Sequence, residues 1–371
     1  MKLPVWLDRR RFLQIMGGMS LLGAVGSRFG WAVATEVGTS PPKFAYIGGE
    51  REIHVYSITA DGRFIRRQTI ASAHPAAMAI SRGNLYVANR VSEYGNLPRG
   101  SVEAFAIDAR TGLLELNNRL PLSLSGILPQ DLAVAPDGRS VVVAVYGGGA
   151  YNVLSVDQGG HLARVSAILK ETGSGPHALQ ACAHPSAVTF GRAGRVLTAD
   201  QGSDRVSLLS ISESQITVSC RCEVTAGSGP SSIALAPGGR SLYVAHSLNG
   251  SVSVFDYDSM VGRISDCKQT VPASHNGEMA VLAMHPSGKT LYSSHGKGIQ
   301  AWKIAASGSL EAPGEVTEVP AIKLHATPDG RNLLALTGDA VLTIKINSGT
   351  HALATPVTAA LVSRPLSIAT L

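Results

Sequence analysis

Short apolar runs separated by Gly, Pro, Asp and Ser clusters recur from about residue 43 to the end of this 371-residue chain. No long stretch places apolar residues at the 3.6-residue spacing of an amphipathic helix, so the pattern predicts many short strands. A unit repeats: an apolar strand, a tight turn, a second strand ending in a polar residue, a short loop, then a strand of Val-x-Val-Phe type. The turns fall at Arg82-Gly83, Pro136-Asp137-Gly138, Arg192-Ala193-Gly194, Pro237-Gly238-Gly239, Pro286-Ser287-Gly288 and Pro328-Asp329-Gly330, and successive turn glycines are 55, 56, 45, 49 and 42 residues apart. Pro75, Pro129, Pro185 and Pro230 each lie seven residues before their turn and mark the start of an innermost strand. After the turns come Leu85-Tyr86-Val87-Ala88, Val141-Val142-Val143-Ala144, Val196-Leu197-Thr198-Ala199, Leu242-Tyr243-Val244-Ala245, Leu291-Tyr292-Ser293-Ser294 and Leu333-Leu334-Ala335-Leu336.

Units of this spacing match four-stranded propeller blades, each of which needs neighbours on both faces. Six are explicit. The seventh is split: Pro365-Leu366-Ser367-Ile368-Ala369 begins an inner strand and the chain stops, while residues 44–47 and 53–56 supply strands with no inner strand before them. Joining the two ends predicts an all-β, seven-bladed β-propeller closed by pairing of N- and C-terminal strands, with no sheet edge left over.

Residues 1–34 read as a leader rather than as fold. Asp8-Arg9-Arg10-Arg11-Phe12-Leu13-Gln14 has the twin-arginine pattern, a weakly apolar run follows, and Ala32-Val33-Ala34 offers a small-residue cleavage site. The expected organisation is a signal peptide over 1–34, a linker over 35–42 and a propeller over 43–371, exported folded to the periplasm. The leader holds Lys2, Arg9, Arg10, Arg11 and Arg28 against Asp8, a net +4 of the chain's +6, so the remainder carries only +2. That small excess gives no support to a nucleic-acid partner, and no later window is apolar enough for a membrane span. Cys182, Cys220, Cys222 and Cys267 lack finger spacing, which argues against a structural metal; free thiols and one disulfide both remain open.

Together and in order, Tyr146-Gly147-Gly148-Gly149, Gly173-Ser174-Gly175-Pro176 leading to Gln180 and His184-Pro185, and Asp200-Gln201-Gly202-Ser203-Asp204-Arg205-Val206 resemble the seven-bladed lactonase-type propellers, which include a 6-phosphogluconolactonase and a carboxymuconate-lactonising enzyme. The resemblance covers nearly all of residues 43–371 and implies lactone hydrolysis without a cofactor. The chain departs from the family where chemistry is expected. The family's Arg before Gln180 is Leu179, and the second His after His184 is Ser186. A Gly-Pro-x-His start is Leu128-Pro129-Gln130-Asp131, and a Gly-Pro-Arg-His start is Gly229-Pro230-Ser231-Ser232. An Asn-Glu strand end is His246-Ser247, and an Asn-Arg end is His295-Gly296.

Lactone opening needs a polarised carbonyl, an activated water and an acid for the departing oxygen. Inner-strand starts and second-strand ends converge on one mouth of a propeller channel. Asp131 and His184 are the candidate catalytic pair there, with Gln180, Asp200, His246, His295, Arg90 and Lys323 as substrate-binding candidates and no metal ligands. Each has a plainer reading: a His before Pro capping backbone groups, an Asx turn at Asp200 and Asp204, an Asp204–Arg205 ion pair, histidines packed under loops. No phosphate loop, Gly-x-Ser-x-Gly elbow or Trp-Asp repeat is present. The expected function is a periplasmic lactonase acting on a sugar-derived lactone, with a sugar acid as product; the scarcity of cations favours an unphosphorylated ring. The alternative is a non-catalytic propeller that binds a ligand or an envelope partner.

Overall fold

A computed structural model describes residues 40–212, 215–273, 281–295 and 298–371; the expected leader over 1–34, residues 35–39 of the expected linker and Gly296 lie outside them. The described residues form seven four-stranded antiparallel sheets. The seven inner strands are Pro75–Ser81, Pro129–Val134, Pro185–Phe190, Pro230–Leu235, Val281–Met284, Lys323–Ala326 and Ser367–Thr370. Each packs beside the next, and the last packs beside the first, so the ring is closed. The closing blade is assembled as the split repeat predicts, with Ala45 opposite Thr370 and Gly48 opposite Ser367.

The apolar runs after the turns become second strands buried on both faces between blades, which is why they read as continuous rather than alternating. Their tyrosines tie one blade to the next. Tyr46, Tyr86 and Tyr243 are buried and donate to the Gly112, Gly160 and Gly308 carbonyls at 3.0, 3.2 and 2.8 Å, each in an outer-strand turn of the following blade. Tyr292 reaches the His351 carbonyl at 3.0 Å in the same way. Each bond satisfies a hydroxyl that burial would otherwise leave unpaired, a net contribution of about 1 kcal/mol beside the ring's packing.

Two features at the starts of the inner strands shape the channel mouth. A β-bulge sits between Pro75 and Ala77, Pro129 and Asp131, Pro185 and Ala187, and Pro230 and Ser232. The extra residue, Ala76, Gln130, Ser186 or Ser231, is thereby turned out of the ladder and onto the mouth. The residue before the proline is left-handed at His74, Leu128, Gly229 and Arg364, with φ of 53, 53, 65 and 47°. Backbone bonds hold all three non-glycine cases, from His74 N–H to the Glu50 carbonyl at 3.0 Å, from Leu128 N–H to that of Val91 at 2.9 Å and from Arg364 N–H to that of Gly338 at 3.1 Å.

Side chains also link inner strands around the ring. Val188 N–H donates to Asp131 Oδ2 at 3.0 Å, Ser186 Oγ to the Pro230 carbonyl at 2.8 Å, and Leu282 N–H to Ser232 Oγ at 3.2 Å. His325 Nε2 meets Thr370 Oγ1 at 2.9 Å, and Ser367 Oγ donates to the Pro75 carbonyl at 2.6 Å. Burial, with Lys323 adding to it, pushes the His325 imidazole down to about 4. An unfolded His titrates near 6.5, so between pH 6.5 and 4 the unfolded chain binds the extra proton and stability falls as pH drops through that window. Asp131 and Asp200, whose carboxyls burial holds high, act in the opposite sense. The comparison with His325→Gln therefore isolates the histidine: the variant's stability should fall less over this window, by at most about 1.4 kcal/mol per pH unit. Parallel melting profiles for the two proteins would contradict this assignment.

Candidate active site at the channel mouth

The starts of the inner strands surround a cavity of about 470 Å³ at one end of the channel, within the usual range for small-molecule sites. Every blade contributes to its wall. Hydroxyls come from Ser186, Ser231, Ser232 and Ser247, amides from Gln130 and Gln201, charge from Arg90, Asp131 and Lys323, and rings from His74 and Tyr146. The serines at three of these positions stand where the family resemblance implies His or Arg, so the sequence exchanged charge for hydroxyls there rather than losing polarity.

Asp131 is half-buried on the wall. Burial raises its carboxyl above the usual range, opposed by the Lys323 ammonium and by the Val188 and Leu132 amides. Lys323 belongs to an inner strand that does not neighbour Asp131's in the ring, so the two charges face each other across the channel. Arg90 lies 6.0 Å from the Tyr146 ring centroid, and its Nε is buried with no hydrogen-bond partner among the described residues. Gln130 Oε1 is likewise buried and unpartnered. An orphaned donor and an orphaned acceptor in one cavity suit a polar ligand that supplies both. His74 is held below its ordinary value by burial and by Arg90, with Glu50 opposing.

The remaining candidates sit elsewhere. Asp131 and His184 do not meet: His184 lies outside the cavity wall, its ring stacked on Tyr146 at 4.4 Å and 11°, with Nδ1 3.1 Å from the Tyr146 carbonyl. Gln180 is fully buried, donating to the Gln201 carbonyl at 2.7 Å and to Asp204 at 2.8 Å. Asp200 Oδ1 accepts from the amides of His184, Gly202 and Ser203 at 2.7, 2.9 and 3.1 Å, the Asx turn of the plainer reading. Burial raises its carboxyl against those three amides. Asp204 accepts from Gly227 and Gly229 at 2.7 and 2.8 Å, while Arg205 turns away to the Thr172 carbonyl at 2.8 Å and to Glu223, so the Asp204–Arg205 ion pair does not form. His246 is buried against Ser253 Oγ at 2.8 Å, its imidazole pushed down to about 4 by burial. His295 closes its strand half-buried and is not part of the cavity wall.

His74, Tyr146, Gln130 and Gln201 are wall residues that strand-start reasoning passed over. For His74 a signal existed, because His74-Pro75 repeats the His184-Pro185 dipeptide two blade-starts earlier in the ring. The loop carrying Cys182 and His184 presses on Gly202, where an added Cβ would lie 1.9 Å from the Cys182 carbonyl oxygen and 2.8 Å from His184 N. Gly202→Ala is therefore expected to cost about 2 kcal/mol, the scale of overpacking against unyielding backbone. An unchanged denaturation midpoint would show that the loop yields freely.

Residues 37–369 match the family described as "Lactonase, 7-bladed beta-propeller". The chain belongs to this lactonase family. Among curated relatives, an uncharacterized protein of Lactococcus lactis is 28% identical over 251 residues, 65% of this chain and 71% of its own length. A 6-phosphogluconolactonase of Bacillus subtilis is 24% identical over 254 residues, 66% of this chain and 71% of its own. Among solved structures, the periplasmic gluconolactonase of Pseudomonas aeruginosa superposes with a TM-score of 0.79 at 20% identity, covering 88% of this chain and 98% of that one. Among the described residues of this lactonase-family propeller, no helix is long and apolar enough to cross a membrane, no group of ligands is arranged to hold a metal ion, and all four cysteines are free.

Proposed function

We propose that this propeller is an exported lactonase that opens a sugar-derived lactone at the channel mouth and works in the periplasm. The observation that carries the reading is Asp131, a carboxyl held above its usual range, facing Lys323 across a cavity walled by hydroxyls and by Arg90. In this reading Asp131 takes the proton of the attacking water, since a raised carboxyl is a stronger base. Lys323 and Arg90 stabilise the charge that develops on the carbonyl oxygen and then hold the product carboxylate. The serine hydroxyls and the amides of Gln130 and Gln201 orient the ring hydroxyls. Family membership and the 6-phosphogluconolactonase relative support lactone chemistry, and a gluconolactonase of this fold is known from a periplasm.

The cations Arg90 and Lys323, with His74 beside them, leave charge no longer an argument against a phosphorylated ring. The periplasmic setting still favours an unphosphorylated one, because sugar phosphates are cytoplasmic metabolites. The leader supports twin-arginine export, so Arg9→Lys with Arg10→Lys should leave uncleaved precursor in the cytoplasm; normal periplasmic yield would sink that route. Calorimetric titration with gluconate tests the cavity. Binding is expected, and Arg90→Gln with Lys323→Gln should weaken it about tenfold or more, the scale of charge-assisted hydrogen bonds. Equal affinity in the double variant would remove both cations from the proposed role.

A further inference from the structure

Beside the cavity, on the loop that Gln180 anchors, the exposed thiol of Cys182 stands 3.7 Å from His184 Nε2. His184 is fixed from three directions. It stacks on Tyr146, its backbone N–H is held by Asp200 at 2.7 Å, and its Nδ1 lies 3.1 Å from the Tyr146 carbonyl. A carbonyl only accepts, so Nδ1 carries the hydrogen and the neutral ring presents a bare Nε2 to the thiol. Nucleophile, base and orienting group thus stand in the order that activates a cysteine. Gly202, with no Cβ to occupy the space, lets the loop approach this closely.

We infer that Cys182 is an activated thiol that forms mixed disulfides with small disulfide compounds. His184 Nε2 takes the thiol proton, and the thiolate attacks one sulfur of an R–S–S–R partner. The Cys182–S–S–R bond forms as the S–S bond of the partner breaks, and the expelled RS⁻ recovers the proton from His184. Cys182 is oxidised and one half of the partner is reduced, so no further reagent is needed. The other thiols lack this arrangement. Burial pushes Cys222 up to about 11, Cys220 is half-buried, and Cys267, though exposed, sits against the Gln269 carbonyl at 3.2 Å and Thr270 Oγ1 at 3.4 Å. Cys267 is therefore the control for exposure alone. The inference does not depend on lactone turnover, because Cys182 is not a cavity-wall residue.

The test is reaction of the reduced full chain with limiting 5,5′-dithiobis(2-nitrobenzoate) at pH 7, with each cysteine followed by peptide mass spectrometry. Cys182 should be modified about tenfold faster than Cys267. His184→Gln should bring Cys182 down to the Cys267 rate while leaving Cys267 unchanged. Equal rates for the two exposed thiols in the unmutated protein overturn the inference whether or not the variant folds, and an unchanged Cys182 rate in a folded His184→Gln protein overturns it as well.

Discussion

Deleting residues 366–371 is expected to abolish cooperative folding of a soluble monomer or to lower its melting temperature by about 10 °C or more. The segment is the inner strand of the closing blade, and its loss leaves the buried strand Phe44–Gly48 with an unpaired edge facing the channel. Ile368 and Ala369, 7% and 6% exposed, leave the core. Ser367 no longer holds the Pro75 carbonyl, and His325 loses Thr370. Lost apolar burial, a broken ladder and two broken cross-strand bonds together amount to several kcal/mol, and each costs a few degrees in a domain of this size. The open edge also templates association. Thermal unfolding and size exclusion read both effects. A truncated protein that stays monomeric with an unchanged midpoint would mean that the ring does not depend on this closure.

Asp131→Asn should lower kcat by about 10²-fold or more with little change in folding. Asparagine keeps an oxygen to accept the Val188 amide, so the link to the neighbouring inner strand survives. What disappears is the carboxylate opposite Lys323, the only acidic group that the described residues place on the cavity wall. Its removal deprives the water of its base while the binding hydroxyls remain, so KM should move far less than kcat. His184→Gln is expected to act indirectly, through the Tyr146 ring it stacks against, and to cost about tenfold or less. Full activity in Asp131→Asn, measured on a substrate the unmutated protein turns over, removes Asp131 as the base.

The propeller was legible because two strands of each blade are hidden from water. The second strands are buried on both faces and read as plain apolar runs, and the turns before them need Gly at a left-handed position, as at Gly83, Gly138 and Gly330. The outer strands carried no such signal. Leu114–Pro121 is half polar without regular alternation, and Leu310–Thr317 contains Pro313 and Gly314, which an edge strand tolerates. For the site, position along the strand was legible and side-chain direction was not. Counting from the repeat placed Arg90, Asp131 and Lys323 at the mouth, where they line the cavity. The same counting added Asp200, Gln180 and His246, which lie off the cavity wall, with Oδ1, Nε2 and Nε2 respectively held by amides, a carbonyl and a serine inside turns and blades. Whether a polar residue faces the channel or caps a turn depends on bulges and on which backbone groups lack partners, and both are properties of the assembled ring.

Titrimetric turnover of a lactone panel by the purified protein, at a pH where spontaneous opening is slow, tests the central claim most directly. The account predicts saturable hydrolysis of at least one sugar-derived lactone, inhibited by its own sugar acid and lost in Asp131→Asn. Rates no faster than spontaneous opening on every lactone, from a protein that still binds sugar acids, would contradict it and leave a propeller that binds without catalysing.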